Sequence, residues 1–198
     1  MIIKLFLISM IVLIYLHILI HFNVNPENSI DLLNEITKET IEYKTTMKLP
    51  FYFNGSFIHN YDISMNHFEK PYQSISILEP RVKFFPKHNI FSICKKKYLK
   101  LHDNKECRNF YKISKGTMWF ICIHPKYKSL FQKQNKQYKY DKTIIKNMKM
   151  NNDYIHIVLH KDSVLFVPNY WLLFGISKEQ CTIEKIQYST IMNQPCFF

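Results

Sequence analysis

The side chains able to do chemistry in this chain are 9 histidines, 15 Asp+Glu and five cysteines, and their spacing decides which could act together. His59, Asp62 and His67, in "FIHNYDISMNH", form a candidate ligand set, and the plainer reading of that stretch is a polar loop after a strand. His156 and His160 have the spacing of metal ligands on a helix, but "DYIHIVLH" alternates as a strand. At ~3.3 Å per residue the two rings would stand ~13 Å apart, too far to share an ion. His124, just before Pro125, reads as a corner residue.

Cys94, Cys107, Cys122, Cys181 and Cys196 contain no C-x-x-C pair, which argues against a structural zinc site. Their odd number rules out complete internal pairing. Cys196 is third from the end, one place short of the prenylation pattern.

Such residues need strands to hold them, and the β signal dominates. "QSISILEP", "NFYKISKGTMWFICIHP", "DYIHIVLH" and "DSVLFVPNYWLLFGIS" are apolar or alternating runs bounded by turn residues. Lys115-Gly116 predicts a hairpin turn between Phe110–Ile113 and Met118–Ile123. Ser29 predicts the cap of a helix in "SIDLLNEITKETIEYKTTM", followed by a strand and turn in "LPFYFNGSF". The lysine-rich stretch from Lys126 to Asn152 reads as a partly helical surface excursion.

Ahead of all this, "LFLISMIVLIYLHILIHF" is nearly continuous apolar sequence, close to the length that crosses a ~30 Å hydrocarbon core. The chain has no alanine, so no A-x-A-like cleavage site follows, and an uncleaved anchor is expected. Lys4 precedes the segment, while Glu27, Asp31 and Glu35 follow it before Lys38. That bias places the N-terminus in the cytoplasm and the rest in a lumen or outside. Asn54-Gly55-Ser56 is a glycosylation triplet that suits the same side. The expected organisation is an anchor over 1–22, a linker over 23–29 and one domain over 30–198, with the membrane as a partner through residues 2–22 and a further protein partner unidentified.

A net charge of +12 suggests a polyanion, but only two of the 27 Lys+Arg are arginine, Arg81 and Arg108. Nucleic-acid readers favour arginine for its bidentate contacts. Lys, Asn, Ile, Tyr and Phe all have AT-rich codons, so genome composition accounts for much of the basicity. This argues against nucleic acid as the partner.

Four pieces in order resemble the cupin-like branch of the JmjC family, and are similar to membrane-anchored members from large DNA viruses. "ITKETIEYKTTMKLPFYFNG" resembles the family's opening helix and strand, and "NFYKISKGTMWFICIHP" its central hairpin. "DSVLFVPNYWLLFGI" resembles the element that ends in Trp-Trp-His, and "QYSTIMN" a closing segment. The resemblance implies a mainly β fold, a double-stranded β-helix or jelly roll with a leading helix after the transmembrane segment. It further implies Fe(II) and 2-oxoglutarate, held by two histidines, one carboxylate and a cation. Counting along the family pattern puts the His-x-Asp/Glu slots on Asp103 and Lys105, the distal histidine slot on Leu173 and the cation slot on Met118. None of the four has the residue type its slot needs, so no catalytic residue, metal or cofactor is expected; a one-residue shift would offer His102 and Asn104 as the alternative metal pair, an amide being a poorer ligand than a carboxylate.

The expectation is therefore a single-pass membrane protein, at a host or virion membrane, carrying a degenerate cupin/JmjC-like domain with a structural or interaction role. One alternative is an Fe(II)/2-oxoglutarate hydroxylase with displaced ligands. The other is a lysine-rich binder of nucleic acid or anionic lipid.

Overall fold

The computed structural model describes residues 2–34, 36–54, 84–93, 98–134, 137–151 and 153–190. Where the sequence alternates, one sheet face is buried. Strand β9, Tyr154–Leu159, buries Ile155, Ile157 and Leu159 and exposes His156 and Val158. Where it runs continuously apolar, both faces are covered. Strand β10, Ser163–Pro168, is buried throughout: Leu165 and Val167 face one core, Val164 and Phe166 another.

The strands follow in chain order. β1 is Asp31–Leu32, β2 Phe51–Asn54, β3 Phe84–Ile93, β4 Tyr98–Asp103, β5 Arg108–Lys115 and β6 Met118–Ile123. β7 and β8, Lys133–Gln134 and Gln137–Tyr138, form a small hairpin of their own. After β9 and β10 come β11, Leu172–Ile176, and β12, Cys181–Thr190. One sheet has the order β1-β2-β10-β5-β12-β3 and the other β4-β11-β6-β9. Eight of these strands pair antiparallel in nested fashion: β6 with β9, β5 with β10, β4 with β11 and β3 with β12. That is one long hairpin rolled up so that its successive pairs alternate between two facing sheets. This strand order defines a jelly roll, and the mainly β expectation holds.

Between the sheets lies a core that includes Ile113, Met118, Phe120, Leu159, Leu165, Trp171 and Ile183. At one end of the roll β5 and β6 join through Gly116, whose φ of +82° requires the left-handed region that glycine adopts freely. A Cβ there would stand 2.5 Å from the Gln180 carbonyl oxygen.

Two helices cover the outer faces. α2, Lys38–Thr46, is capped by Thr37, whose hydroxyl accepts from the Thr40 amide, and its Ile41 packs with Phe51, Phe110 and Phe166. The expected helix from Ser29 starts later than its periodicity suggested. Asp31 and Leu32 instead pair with Phe51 and Tyr52 as a parallel strand. α3, Lys142–Met150, is capped by Asp141 and lays Ile145 and Met148 on Leu172, Phe174 and Ile123. The lysine-rich stretch is thus more than surface, since this stripe of α3 and Phe131 are buried.

The N-terminal segment forms helix α1, Ile2–Phe22. Its described side chains, Ile3 to Leu16, are all exposed. The expected transmembrane span is not supported: among the described residues no helix is long and apolar enough to cross a membrane. The expected strand "QSISILEP" and the set His59, Asp62 and His67 lie outside the described residues, as do Cys94 and Cys196. Cys122 and Cys181 are free thiols.

Candidate site in the polar end of the barrel

A bulge decides what enters the barrel. Leu173 of β11 pairs with His102 and Gly175 pairs with Leu99, so β4 carries one extra residue across that interval. The extra residue reverses the parity of β4. Leu99 faces the inner core and Leu101 packs on the α3 side. His102 and Asn104 then turn inward and meet Tyr111 of β5. Asp103 turns away and forms a 2.8 Å ion pair with Lys128. Lys105 follows in the β4–β5 loop, half-buried.

The inward groups form a chain. The Tyr111 hydroxyl lies 2.9 Å from His102 Nε2 and donates to Asn104 Oδ1 at 2.5 Å. Asn104 Nδ2 donates to the Trp171 carbonyl, which fixes the amide's orientation. His102 Nδ1 lies 2.9 Å from the Lys100 carbonyl, which can only accept. With a neutral imidazole protonated on Nδ1, Nε2 must accept, and the single tyrosine proton faces two acceptors. One more proton, on Nε2, would satisfy every contact. Burial and the charge of Lys185 outweigh that demand and hold His102 at about 4. Burial, with Glu106 and Cys122, pushes the Tyr111 phenol well above its usual range.

Lys185 is the cation of this interior. It is buried on β12, with Nζ 5.2 Å from the Tyr111 ring centroid. Beside it Gln187 donates to Asn109 Oδ1, and Asn109 Nδ2 donates to the Glu106 and Val167 carbonyls. Composition could not reveal Lys185. The signal was the parity of "CTIEKIQ", where Lys185 and Gln187 fall on the same strand face as the buried Cys181 and Ile183.

The implied iron and 2-oxoglutarate do not fit this donor set. His102 is an imidazole, but Asn104 supplies a neutral amide already holding the Tyr111 proton. Leu173, the residue paired with His102, is fully buried hydrocarbon with no lone pair. Met118, in the cation slot, is fully buried in the core and has no charge to offer a carboxylate. Among the described residues no three His, Cys, Asp or Glu side chains gather to hold a metal. Of this stretch, the bulge turns His102 and Asn104 inward, and the counted slot Asp103 faces away.

His124, His156 and His160 lie apart from this site and from one another. His156 stacks edge-on against Trp119 on the outer sheet face, and His160 meets the Thr117 hydroxyl. His124 is a corner residue whose ring lies 5.0 Å from that of Trp171. Asn54 is exposed at the end of β2, while Gly55 and Ser56 lie outside the described residues.

No family model matches this chain. No curated protein matches it either. Among solved structures it is similar to a cupin superfamily protein from Desulfitobacterium hafniense, with 14% identity over 55% of this chain and 78% of that one, at a TM-score of 0.34. It is similar also to dTDP-4-dehydrorhamnose 3,5-epimerase from Sulfolobus tokodaii, with 14% identity and a TM-score of 0.35. That match covers 52% of this chain and spans about half of the epimerase, 51%. The jelly-roll assignment rests on the strand order itself.

Proposed function

We propose that this protein is a membrane-attached jelly roll that acts by holding or presenting a surface, and that its barrel carries out no oxygenase chemistry. One observation carries the reading. The inward imidazole and amide of β4, His102 and Asn104, are tied to each other through the Tyr111 hydroxyl, and the hydrocarbon Leu173 is the register partner of His102. A facial triad needs three donors with free lone pairs directed at one point. This interior spends its polar atoms on one another, and a hydrogen-bonded interior of that kind stiffens a fold.

Membrane attachment is supported by α1. Apolar side chains cover all its faces, from Ile3 at 76% exposure to Leu16 at 37%, and no core of the jelly roll receives them. A helix apolar all round needs a surrounding apolar medium, such as the acyl region of one leaflet.

The full chain, purified in detergent and supplied with Fe(II), 2-oxoglutarate and O₂, should release no succinate above the protein-free control. Turnover that disappears in His102→Ala would establish the competing reading, a hydroxylase with displaced ligands.

A further inference from the structure

The chain leaves α1 at a defined place on the domain. Lys48 Nζ donates to the Asn23 carbonyl at 2.8 Å. Asn25 Nδ2 donates to the Met47 carbonyl at 2.9 Å. His124 accepts the Lys126 amide on Nδ1, so Nε2 carries its proton and donates to the Asn25 carbonyl at 2.7 Å. Three contacts thus pin the segment after α1 onto a rim made by the turn after α2 and the corner after β6.

That rim is basic. His124 opens a 3-10 turn, Pro125–Leu130, which brings Lys126 and Lys128 to the corner. Burial pushes the Lys128 ammonium down, and Lys133 and Lys105 are near enough to add to the effect. Two acidic groups stand at the same corner: Asp103, paired with Lys128, and Asp153, which accepts from the Tyr127 hydroxyl. Apolar side chains stand among these charges: Leu130 is 49% exposed and Met47 37%. Lysines around exposed aliphatic tips, at the point where an apolar helix leaves, match a bilayer surface in both charge and polarity.

We propose that this rim lies on the membrane that receives α1, with the exposed Lys126 and Lys133 against the headgroups of acidic phospholipids. The inference rests on membrane attachment through α1 and adds the face and the lipid class. Because three hydrogen bonds fix the exit, the domain cannot swing freely on its linker, so the same face meets the bilayer each time.

The test uses the full chain reconstituted into phosphatidylcholine vesicles, with or without about 30% phosphatidylserine. Amide hydrogen exchange is read over residues 124–134. Exchange there should slow at least about fivefold on the acidic vesicles only, and about 0.5 M salt should remove the effect. Lys126→Glu with Lys133→Glu should abolish the slowing while leaving vesicle flotation and thermal midpoint unchanged. Equal exchange on both vesicle types, with the protein still floating, overturns the rim and leaves attachment standing. Failure to float with either vesicle overturns both. Protection of the rim by single-stranded RNA, with none on acidic vesicles, overturns it in favour of a nucleic-acid surface.

Discussion

Trp171→Ala should destabilise the protein by about 3–5 kcal/mol, seen as a large fall in the urea midpoint. Trp171 is fully buried at the bend between β10 and β11, where Tyr170 takes a φ of +67°. Its ring packs on His124, and its carbonyl accepts from both the backbone and the side chain of Asn104. Removing the ring opens a cavity under the corner that pins Asn25 and beside the strand that aims His102. Trp171→Phe should cost far less. Its Nε1 is buried with no partner, and a buried donor without an acceptor costs about 1–3 kcal/mol. Phenylalanine removes that penalty along with some volume, so the two losses partly offset. Equal destabilisation by Phe and Ala would contradict this account of the indole.

Acid should weaken the fold through His102. Its folded pKa is lowered to about 4 from the ordinary 6.5. Between those values the unfolded chain binds the proton and the folded one resists it, so stability rises with pH. The contribution is fully present above about pH 6.5 and is lost as pH falls toward about 4, amounting to about 2–3 kcal/mol after allowing for partial exposure. His124 is lowered as well, by burial, and adds in the same direction. Urea unfolding at a series of pH values should show this slope, and His102→Gln should flatten most of it. A wild-type curve level from pH 6.5 to 4, or a variant with an unchanged slope, would refute the assignment.

Much of the scaffold was legible because local pattern and burial agree in it. The β5–β6 hairpin follows from alternating runs around Gly116, and β9 and β10 follow from period-two and continuous apolar sequence respectively. The leading helix was misplaced because Asp31 and Leu32 gain a strand partner in Phe51 and Tyr52, which no local signal announces. The site shows the same limit more sharply. Counting residues put Asp103 and Lys105 in the slots, yet the bulge opposite Leu173 and Gly175 turns in His102 and Asn104. That bulge belongs to the pairing of β4 with β11, about seventy positions apart along the chain, and not to either sequence alone. Lys185 was missed for a related reason: its burial depends on the parity of β12, which is known only once Ile183 is seen facing the core. Leu173, by contrast, could be read directly, since an aliphatic side chain has no lone pair in any register.

The central claim is that the barrel's polar end is bonded to itself rather than open to a metal. Calorimetric titration of Fe(II) into the full chain, anaerobic and with 2-oxoglutarate present, tests it most directly. The account predicts no saturable site tighter than about 1 mM. A single stoichiometric site of micromolar affinity, lost in His102→Ala, would contradict it.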